Sequence, residues 1–369
     1  MTPDLTPGRT AIVTGAAGQD GYFLVERLLS DGWSVHATAR RFDAVTFSEL
    51  PAEAKKRLRL HQIDLLQPQP LFALIARIQP NEIYNLGGQS SVSKSFSDPL
   101  YTWQTNAETV VHLLECLRND SPCTRFYQAS STEMFGISSA GVTLHSETSA
   151  LNPQSPYASA KAAAHLLCHS YREAYGLRIA SGILANHESH RRSTSFMSRK
   201  VVSHVLRLSG MGVESLRRLA PLVMGNLRAR RDWGFAPDYV DGMCRILRQI
   251  DVRSTEQGKG LEVDEGANYH DYVLATGQTH AVWELVDAAF RLAGQELEWT
   301  FERDEPSSWS AVFRSSGSPA VIVDPGLLRV GEPAEIQVDP TRARRELGWA
   351  PSLGLDIFLS DMLSKGRPS

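Results

Sequence analysis

The chain has little cysteine, no long hydrophobic run and no excess of either charge, and each shortage removes a class of protein. Its four cysteines (Cys116, Cys123, Cys168 and Cys244) show no CxxC spacing. They read as reduced thiols rather than a disulfide framework or a zinc site. No apolar run approaches the ~18 residues needed to span a bilayer. Met1 to Gly8 is polar, without a basic stretch ahead of an apolar core. The expectation is a cytoplasmic protein with no membrane partner. A formal net charge of -3 over 369 residues leaves no global basic field for nucleic acid. His165 and His169 share a helix face with Cys168 nearby, but no acidic or third histidine partner accompanies them in sequence, so no metal is expected. There is no internal repeat.

What remains is an ordinary globular composition, 42% hydrophobic and 21% charged, long enough for one large or two intimate domains. Local arginine clusters (Arg40-Arg41, Arg191-Arg192, Arg228 to Arg231) suit phosphate groups, although any one alone can be a solvated face. Thr10–Thr14 is a short apolar strand, followed at once by Gly15, Gly18 and Gly21 and then by a helical pattern from Tyr22 to Ser30. Strand, glycine turn and helix in that order make a dinucleotide-binding start, with pyrophosphate approaching the helix N-terminus. A second strand, Trp33 to Ala39, ends on Arg40-Arg41. An acidic residue there would bind a ribose 2′-hydroxyl, whereas arginine suits a 2′-phosphate, so the predicted cofactor is NADP. Leu58 to Ile63 reads as a third strand ending at Asp64-Leu65, where an adenine could be edged. Glu82 to Leu86 is a fourth, opening into Gly87-Gly88-Gln89-Ser90. The alternation to about Ala185 predicts an α/β fold, a Rossmann-type doubly wound parallel sheet.

A fifth strand, Arg125 to Ala129, leads into Ser130-Ser131-Thr132-Glu133, and Tyr157 and Lys161 follow some two dozen residues later. At i and i+4 the phenol and ammonium share a helix face, so the cation can draw the phenol's pKa from about 10 toward neutrality. A phenolate beside a sugar hydroxyl is a general base for alcohol oxidation. Glu133 is the surplus group, since plain oxidation needs no second base. Taken singly, each feature has a bland alternative: YxxxK by chance, and Glu133 as a helix N-terminal charge.

Together the motifs resemble the GDP-mannose 4,6-dehydratase family of the extended short-chain dehydrogenase/reductase superfamily. Thr14-Gly15-Ala-Ala-Gly18-Gln19-Asp20-Gly21 is similar to the family's TGxxGQDG, Asn85 to Ser90 to its NLGAQS, and Asn186 to Arg192 to its NHESPRR. Arg231 to Val240 is similar to RDWGHAKDYV, and Asp324-Pro325, Arg329 and Leu347 to Pro351 to its closing signature. The resemblance runs from about Thr10 to Pro351. It implies that Ser131, Thr132, Glu133, Tyr157 and Lys161 are catalytic. It gives Gly15, Gly18, Gln19, Asp20, Gly21, Arg40, Asp64, Leu65, Leu86, Gly87, Gln89, Ser90, Tyr101, Tyr157, Lys161, His187 and Arg192 as NADP contacts. Asn186, Arg231 and Arg329 would meet the nucleotide diphosphate, with Lys200 near the nucleotide end.

The implied reaction converts GDP-mannose, or a close GDP-hexose, to the GDP-4-keto-6-deoxy sugar. It proceeds by C4 oxidation, loss of water across C5 and C6, and hydride return to C6. Two alternatives share the motifs: a nucleotide-sugar 4-epimerase, which needs no base for C5, and a non-catalytic NADP-binding protein. The sequence also departs from the family. Ser131-Thr132 exchanges its Thr-Ser, and His190 and Ser193 replace a Pro and a Gly in a loop that in the family reaches a neighbouring subunit's cofactor. The segment Arg329-Val-Gly-Glu-Pro-Ala-Glu335 spaces its arginine differently from the acidic neighbour.

The expected division is an NADP-binding unit over 1–186, with 231–250 and 269–277 returning to it as a helix and a strand. A smaller, interleaved substrate-binding domain takes 187–230 and 278–369. Residues 250–268 read as an inserted surface loop and 301–321 as a mobile loop. Helices near Asn106 to Leu117 and Ala158 to Ala174 resemble the superfamily's dimer seam, which implies a homodimer or homotetramer.

Overall fold

The computed structural model describes residues 8–137, 144–208, 210–256, 271–302, 305–329, 331–352 and 354–365. The strands relevant to the site are β1 (Thr10–Thr14), β2 (Ser34–Ala39), β3 (Leu58–Gln62), β4 (Glu82–Asn85), β5 (Arg125–Ser131), β6 (Ile179–Leu184) and β7 (Asn186–Glu188). They continue with β8 (Leu222–Met224), β9 (Arg230–Phe235), β10 (Tyr272–Leu274), β11 (Thr279–Ala281), β12 (Leu297–Thr300), β13 (Ser310–Phe313) and β14 (Pro319–Val323).

Seven of them form one sheet in the order β10-β6-β5-β4-β1-β2-β3, and every pairing in it is parallel. This is the doubly wound sheet expected from the alternation of strand and helix. Apolar residues fill its central strands because both faces are covered. Ala11, Val13, Tyr84, Tyr127 and Ala180 pack in one cluster, while Ile12, Ile83, Phe126 and Ile179 pack in another. Neighbours in sequence thus go to opposite faces, as the two-residue period of a strand requires. After β1 the chain adds β2 and β3 on one side of it and β4 on the other, so the crevice at the carboxyl ends of β1 and β4 is a topological switch point.

A third apolar cluster, built around Val201, Val205, Leu285, Phe290, Phe313 and Phe358, lies under two smaller sheets. One has the order β11-β9-β7 and the other β12-β13-β14-β8. One sequence expectation fails here, and a second fails over its first residues. The stretch 301–321 is not a mobile loop: it carries β13 and part of β14, paired antiparallel, with Ala311, Phe313 and Val321 buried. Serine, glycine and charge masked an alternating strand pattern whose buried positions are few. The surface loop expected over 250–268 is helical to Glu256, inside Ala236–Glu256, and its remainder lies outside the described residues. Among the described residues no helix is long and apolar enough to cross a membrane.

Candidate active site

β5 delivers Ser131 to the carboxyl edge of the sheet, and a short turn, Thr132–Met134, follows. The Ser131 hydroxyl stops the strand by accepting from the Glu133 backbone N–H at 3.3 Å. Helix Pro156–Tyr175 begins on Ser155, whose side chain accepts from Ala158 N–H at 3.1 Å, with Pro156 in the first position. One turn apart on that helix, Tyr157 and Lys161 face the end of β5. Lys161 Nζ donates to the Ala129 carbonyl at 2.9 Å and lies 6.0 Å from the Tyr157 ring centre. Ser131, Thr132, Glu133, Tyr157 and Lys161 all line one cavity of about 430 Å³.

The electrostatics differ from the expectation that Lys161 pulls the phenol toward neutrality. Burial pushes Tyr157 up to about 12; the Ser131 hydrogen bond opposes this, Glu133 adds to it, and Arg192 opposes it. Lys161 itself is pushed down to about 8 by burial, against the attraction of Asp20 and Cys168. Desolvation of two groups on one buried helix face outweighs their proximity.

The glycine turn is set by crowding. Gly15 has φ 67, and a Cβ there would stand 2.8 Å from Gly87 N; one on Gly21 would stand 2.4 Å from the Gly15 carbonyl. Helix Gln19–Ser30 starts immediately after, so its first-turn N–H groups face the switch-point crevice without helical partners. Thr14 Oγ1 accepts from Leu86 N and Gly87 N at 3.1 and 3.0 Å and donates to Asn85 Oδ1 at 2.7 Å, which pins the ends of β1 and β4 together. Arg40 follows directly on β2. Arg40 is exposed and donates to Tyr101 Oη at 2.6 Å.

Two residues assigned to the cofactor spend their side chains within the fold. Gln19 donates to the His187 carbonyl at 3.0 Å and accepts from Ser189 at 2.9 Å. Gln89 donates to Ser91 O and to Thr102 Oγ1, while Asn106 grips its backbone on both sides. Asp64, exposed, caps the Leu66 N–H at 3.0 Å. Asp20, Leu86, Ser90, His187 and Arg192 line the cavity.

His187 Nε2–H donates to Asp20 at 2.8 Å and its Nδ1–H to the Ala185 carbonyl at 2.7 Å. Both neighbours only accept, so this geometry favours the doubly protonated ring. Burial pulls His187 down, but Asp20 outweighs it and the net shift is upward; burial raises Asp20, and His187 outweighs that, so the net shift is downward. The pair therefore contributes stability between the two altered values: it is lost as pH rises through the raised His187 value, above 6.5, and as pH falls through the lowered Asp20 value, below 3.8. Asp20→Asn is expected to destabilise the protein by about 2–3 kcal/mol near pH 6, less than a fully buried pair would lose, because the Asp20 side chain is 21% exposed. Thermal melts at pH 6 and pH 9 check this, since the difference from the native chain should narrow at the higher pH.

On the remaining wall, Asn186, Lys200, Arg231 and Arg329 all line the cavity. Lys200 Nζ donates to Val223 O at 2.6 Å. Arg231 is 6% exposed and lies between two carboxylates, Nε 3.9 Å from Glu133 Oε1 and Nη2 3.7 Å from Glu332 Oε1. Its Nη1 donates to the Arg230 and Pro333 carbonyls at 2.8 and 3.0 Å. Arg192 pairs with Glu188 at 3.2 Å. Sequence reasoning missed Glu332, which also bonds Arg329 and accepts from Asn226 Nδ2 at 3.1 Å. The altered spacing after Arg329 was the available signal. It missed equally a chain behind the site, in which Ser130 Oγ meets His165 Nδ1 at 3.1 Å and Asp271 lies 3.8 Å from His165 Nε2.

Hydroxyl, phenol, ammonium and carboxylate thus share one cavity with the guanidinium groups of Arg192, Arg231 and Arg329. A family model described as GDP-mannose 4,6 dehydratase matches residues 12–362. GDP-mannose 4,6-dehydratase of Vibrio cholerae serotype O1 is 36% identical over 96% of this chain and 93% of its own. Among solved structures, the dTDP-glucose 4,6-dehydratase DesIV of Streptomyces venezuelae, with NAD and TYD bound, is similar at a TM-score of 0.73 and 20% identity, over 96% of both chains. RMD from Pseudomonas aeruginosa, complexed with NADPH, is similar at 0.68 and 21%, over 97% of this chain and 98% of its own. The solved structures share the fold.

Proposed function

The chain belongs to the GDP-mannose 4,6-dehydratase family, and on that premise we propose that it converts GDP-mannose to GDP-4-keto-6-deoxymannose. The observation that carries this is Glu133, a carboxylate beside Tyr157, Lys161 and Ser131 in one cavity. When bound, the nicotinamide supplies the hydride acceptor at C4 and the hydride donor at C6. Tyr157 takes the C4-hydroxyl proton while Ser131 and Thr132 hold the sugar's oxygens. Lys161, anchored to Ala129 O, keeps a positive charge beside the phenol. The new ketone acidifies C5–H, because the carbanion left behind is delocalised into the carbonyl. Glu133 removes that proton and gives one to the departing C6 hydroxyl, so one carboxylate acts as base and then as acid. A proton is taken up at C5 as hydride returns to C6, so no net oxidation results. Arg231, 3.9 Å from Glu133, sets a guanidinium beside the carboxylate.

The test is incubation with GDP-mannose in D₂O: water loss, deuterium at C5 and no accumulation of NADPH are expected. Unchanged GDP-mannose would overturn the substrate, and product without deuterium would overturn the route.

We take the nicotinamide cofactor to be NADP, with Gly15, Gly18 and Gly21 giving the pyrophosphate room, Leu86, Gly87 and Ser90 along its path, and Asp64 and Leu65 at the adenine. Arg40 with Tyr101 would receive the 2′-phosphate. Arg40→Ala should weaken NADP by about tenfold or more, the worth of a charge-assisted hydrogen bond, and leave NAD nearly unchanged. Fluorescence titration of both cofactors decides it. The division into a cofactor unit and a substrate unit follows the same logic, as does a homodimer or homotetramer. Exposed Leu100 (67%), Trp103 (47%) and Leu166 (54%) beside or on the helix Pro156–Tyr175 support such a seam. Four free cysteines, three of them buried, suit a cytoplasmic location.

A further inference from the structure

His165, one of the two histidines that share a helix face without suiting a metal, has a place behind the site. Tyr157, Lys161 and His165 follow one another at four-residue intervals, so they lie along one face of the helix Pro156–Tyr175. Lys161 and His165 are each 9% exposed, and Arg172, further along, is 8% exposed. Buried polar groups are costly unless partnered, and these are partnered. Lys161 and His165 bond consecutive residues of β5: Nζ donates to the Ala129 carbonyl at 2.9 Å, and Nδ1 meets Ser130 Oγ at 3.1 Å. The helix is thus fixed at two points to the tip of the strand that carries Ser131.

The far side of the imidazole is equally well defined. Asp271, just ahead of β10, accepts from Arg172 through both oxygens at 3.0 and 3.3 Å and from the Ser181 backbone N–H at 2.8 Å. Its charge also faces His165 Nε2 at 3.8 Å. Burial lowers the His165 pKa against the pull of Asp271, and Arg172 and His169 of the same helix add to the lowering, so the ring is mostly neutral above pH 6.5. A lone pair on Nε2 would face the carboxylate. The geometry therefore favours a proton on Nε2 and leaves Nδ1 to accept from the Ser130 hydroxyl.

We propose that His165 is a positioning residue of the reaction: backed by Asp271 and Arg172, it holds Ser130 and so keeps Ala129 and Ser131, on either side, aligned with Lys161 and Tyr157. This rests on the reading of Ser131, Tyr157 and Lys161 as reacting groups and adds a residue that acts through them. Gln128 Nε2 donates to the same Ala129 carbonyl at 3.1 Å, so the expected losses are partial.

The experiment compares the full, NADP-loaded chain with Ser130→Ala, His165→Leu, His165→Asn and the double variant Ser130→Ala/His165→Leu. With GDP-mannose, kcat should fall about five- to tenfold in Ser130→Ala and in His165→Leu, the worth of one neutral hydrogen bond, with KM within about twofold. The double variant should be no slower than His165→Leu, because both changes break one contact. Asparagine offers an oxygen near the place of Nδ1, so His165→Asn should restore the rate, which a packing role alone would not. An independent readout is the Cε resonance of isotope-labelled lysine, identified by its loss in Lys161→Met. A less firmly held ammonium loses part of the hydrogen bond that favours its charged form. Lys161 should therefore titrate at lower pH in Ser130→Ala and His165→Leu, and at the native pH in His165→Asn. Native kcat in Ser130→Ala or His165→Leu, or equal loss in His165→Leu and His165→Asn, overturns the inference. No turnover by the native chain, with Lys161 shifted as expected, upholds the role of His165 and sinks the dehydratase reading. Turnover by the native chain with Lys161 unmoved in both variants does the reverse.

Discussion

Glu133→Gln is expected to stop water loss while leaving oxidation at C4 intact. Glutamine keeps the volume and a hydrogen-bonding carbonyl, so the cavity wall survives. It can neither accept the C5 proton nor deliver one to the C6 hydroxyl. General base catalysis is commonly worth about 10²–10⁴-fold, and the loss of both roles from one side chain belongs at the upper end of that range. The arrested enzyme should hold its 4-ketone with the cofactor reduced, so absorbance at 340 nm appears on mixing with GDP-mannose and persists. Deuterium from solvent should be missing at C5. An undiminished rate in this variant would point instead to 4-epimerase chemistry, in which C5 is never opened.

Tyr157→Phe should remove activity earlier in the sequence. Without the phenol nothing takes the C4-hydroxyl proton, so neither ketone nor absorbance change appears, and the rate falls by about 10²–10⁴-fold. The two variants therefore fail at distinguishable steps: Glu133→Gln accumulates a reduced cofactor and Tyr157→Phe does not. In the native enzyme the phenol is pushed up to about 12 by burial, so its ionised fraction grows with pH and the rate should climb from pH 6. Lys161, pushed down to about 8, gives up its helpful charge as pH rises through that value, which sets the falling side. A profile falling steadily between pH 6 and pH 8 would contradict these roles. A protein that only carries the cofactor would give no response to Tyr157→Phe in any of these assays.

Much of the fold was legible because its signals are local. The Thr10–Thr14 strand, the glycines after it and the helix from Gln19 all follow from period and turn chemistry within thirty residues. The pair Tyr157 and Lys161 could be placed on one face from spacing alone. Contacts across the sequence were harder. Nothing in a linear reading puts Glu332 against Arg231, since they lie a hundred residues apart and meet only because Pro333 and Ala334 run beside β9. The Tyr157 shift was misjudged for a related reason: proximity to Lys161 is visible in sequence, whereas the desolvation that overrides it depends on everything packed around the helix. The Phe301–Val321 stretch was misread because its strands bury few side chains, and composition speaks only weakly when half a strand faces solvent.

The clasp formed by Gln19, Asp20, His187 and Ser189 bears on modular exchange. Two short motifs some 170 residues apart are bolted together there, by a histidine ring on a carboxylate and an amide between two loops. A chimaera that borrowed its first thirty residues from a relative with a different glycine turn would leave a buried histidine without its counterpart. Grafting therefore succeeds only when both ends of the clasp travel together, and recombination breakpoints between them should yield poorly folded hybrids.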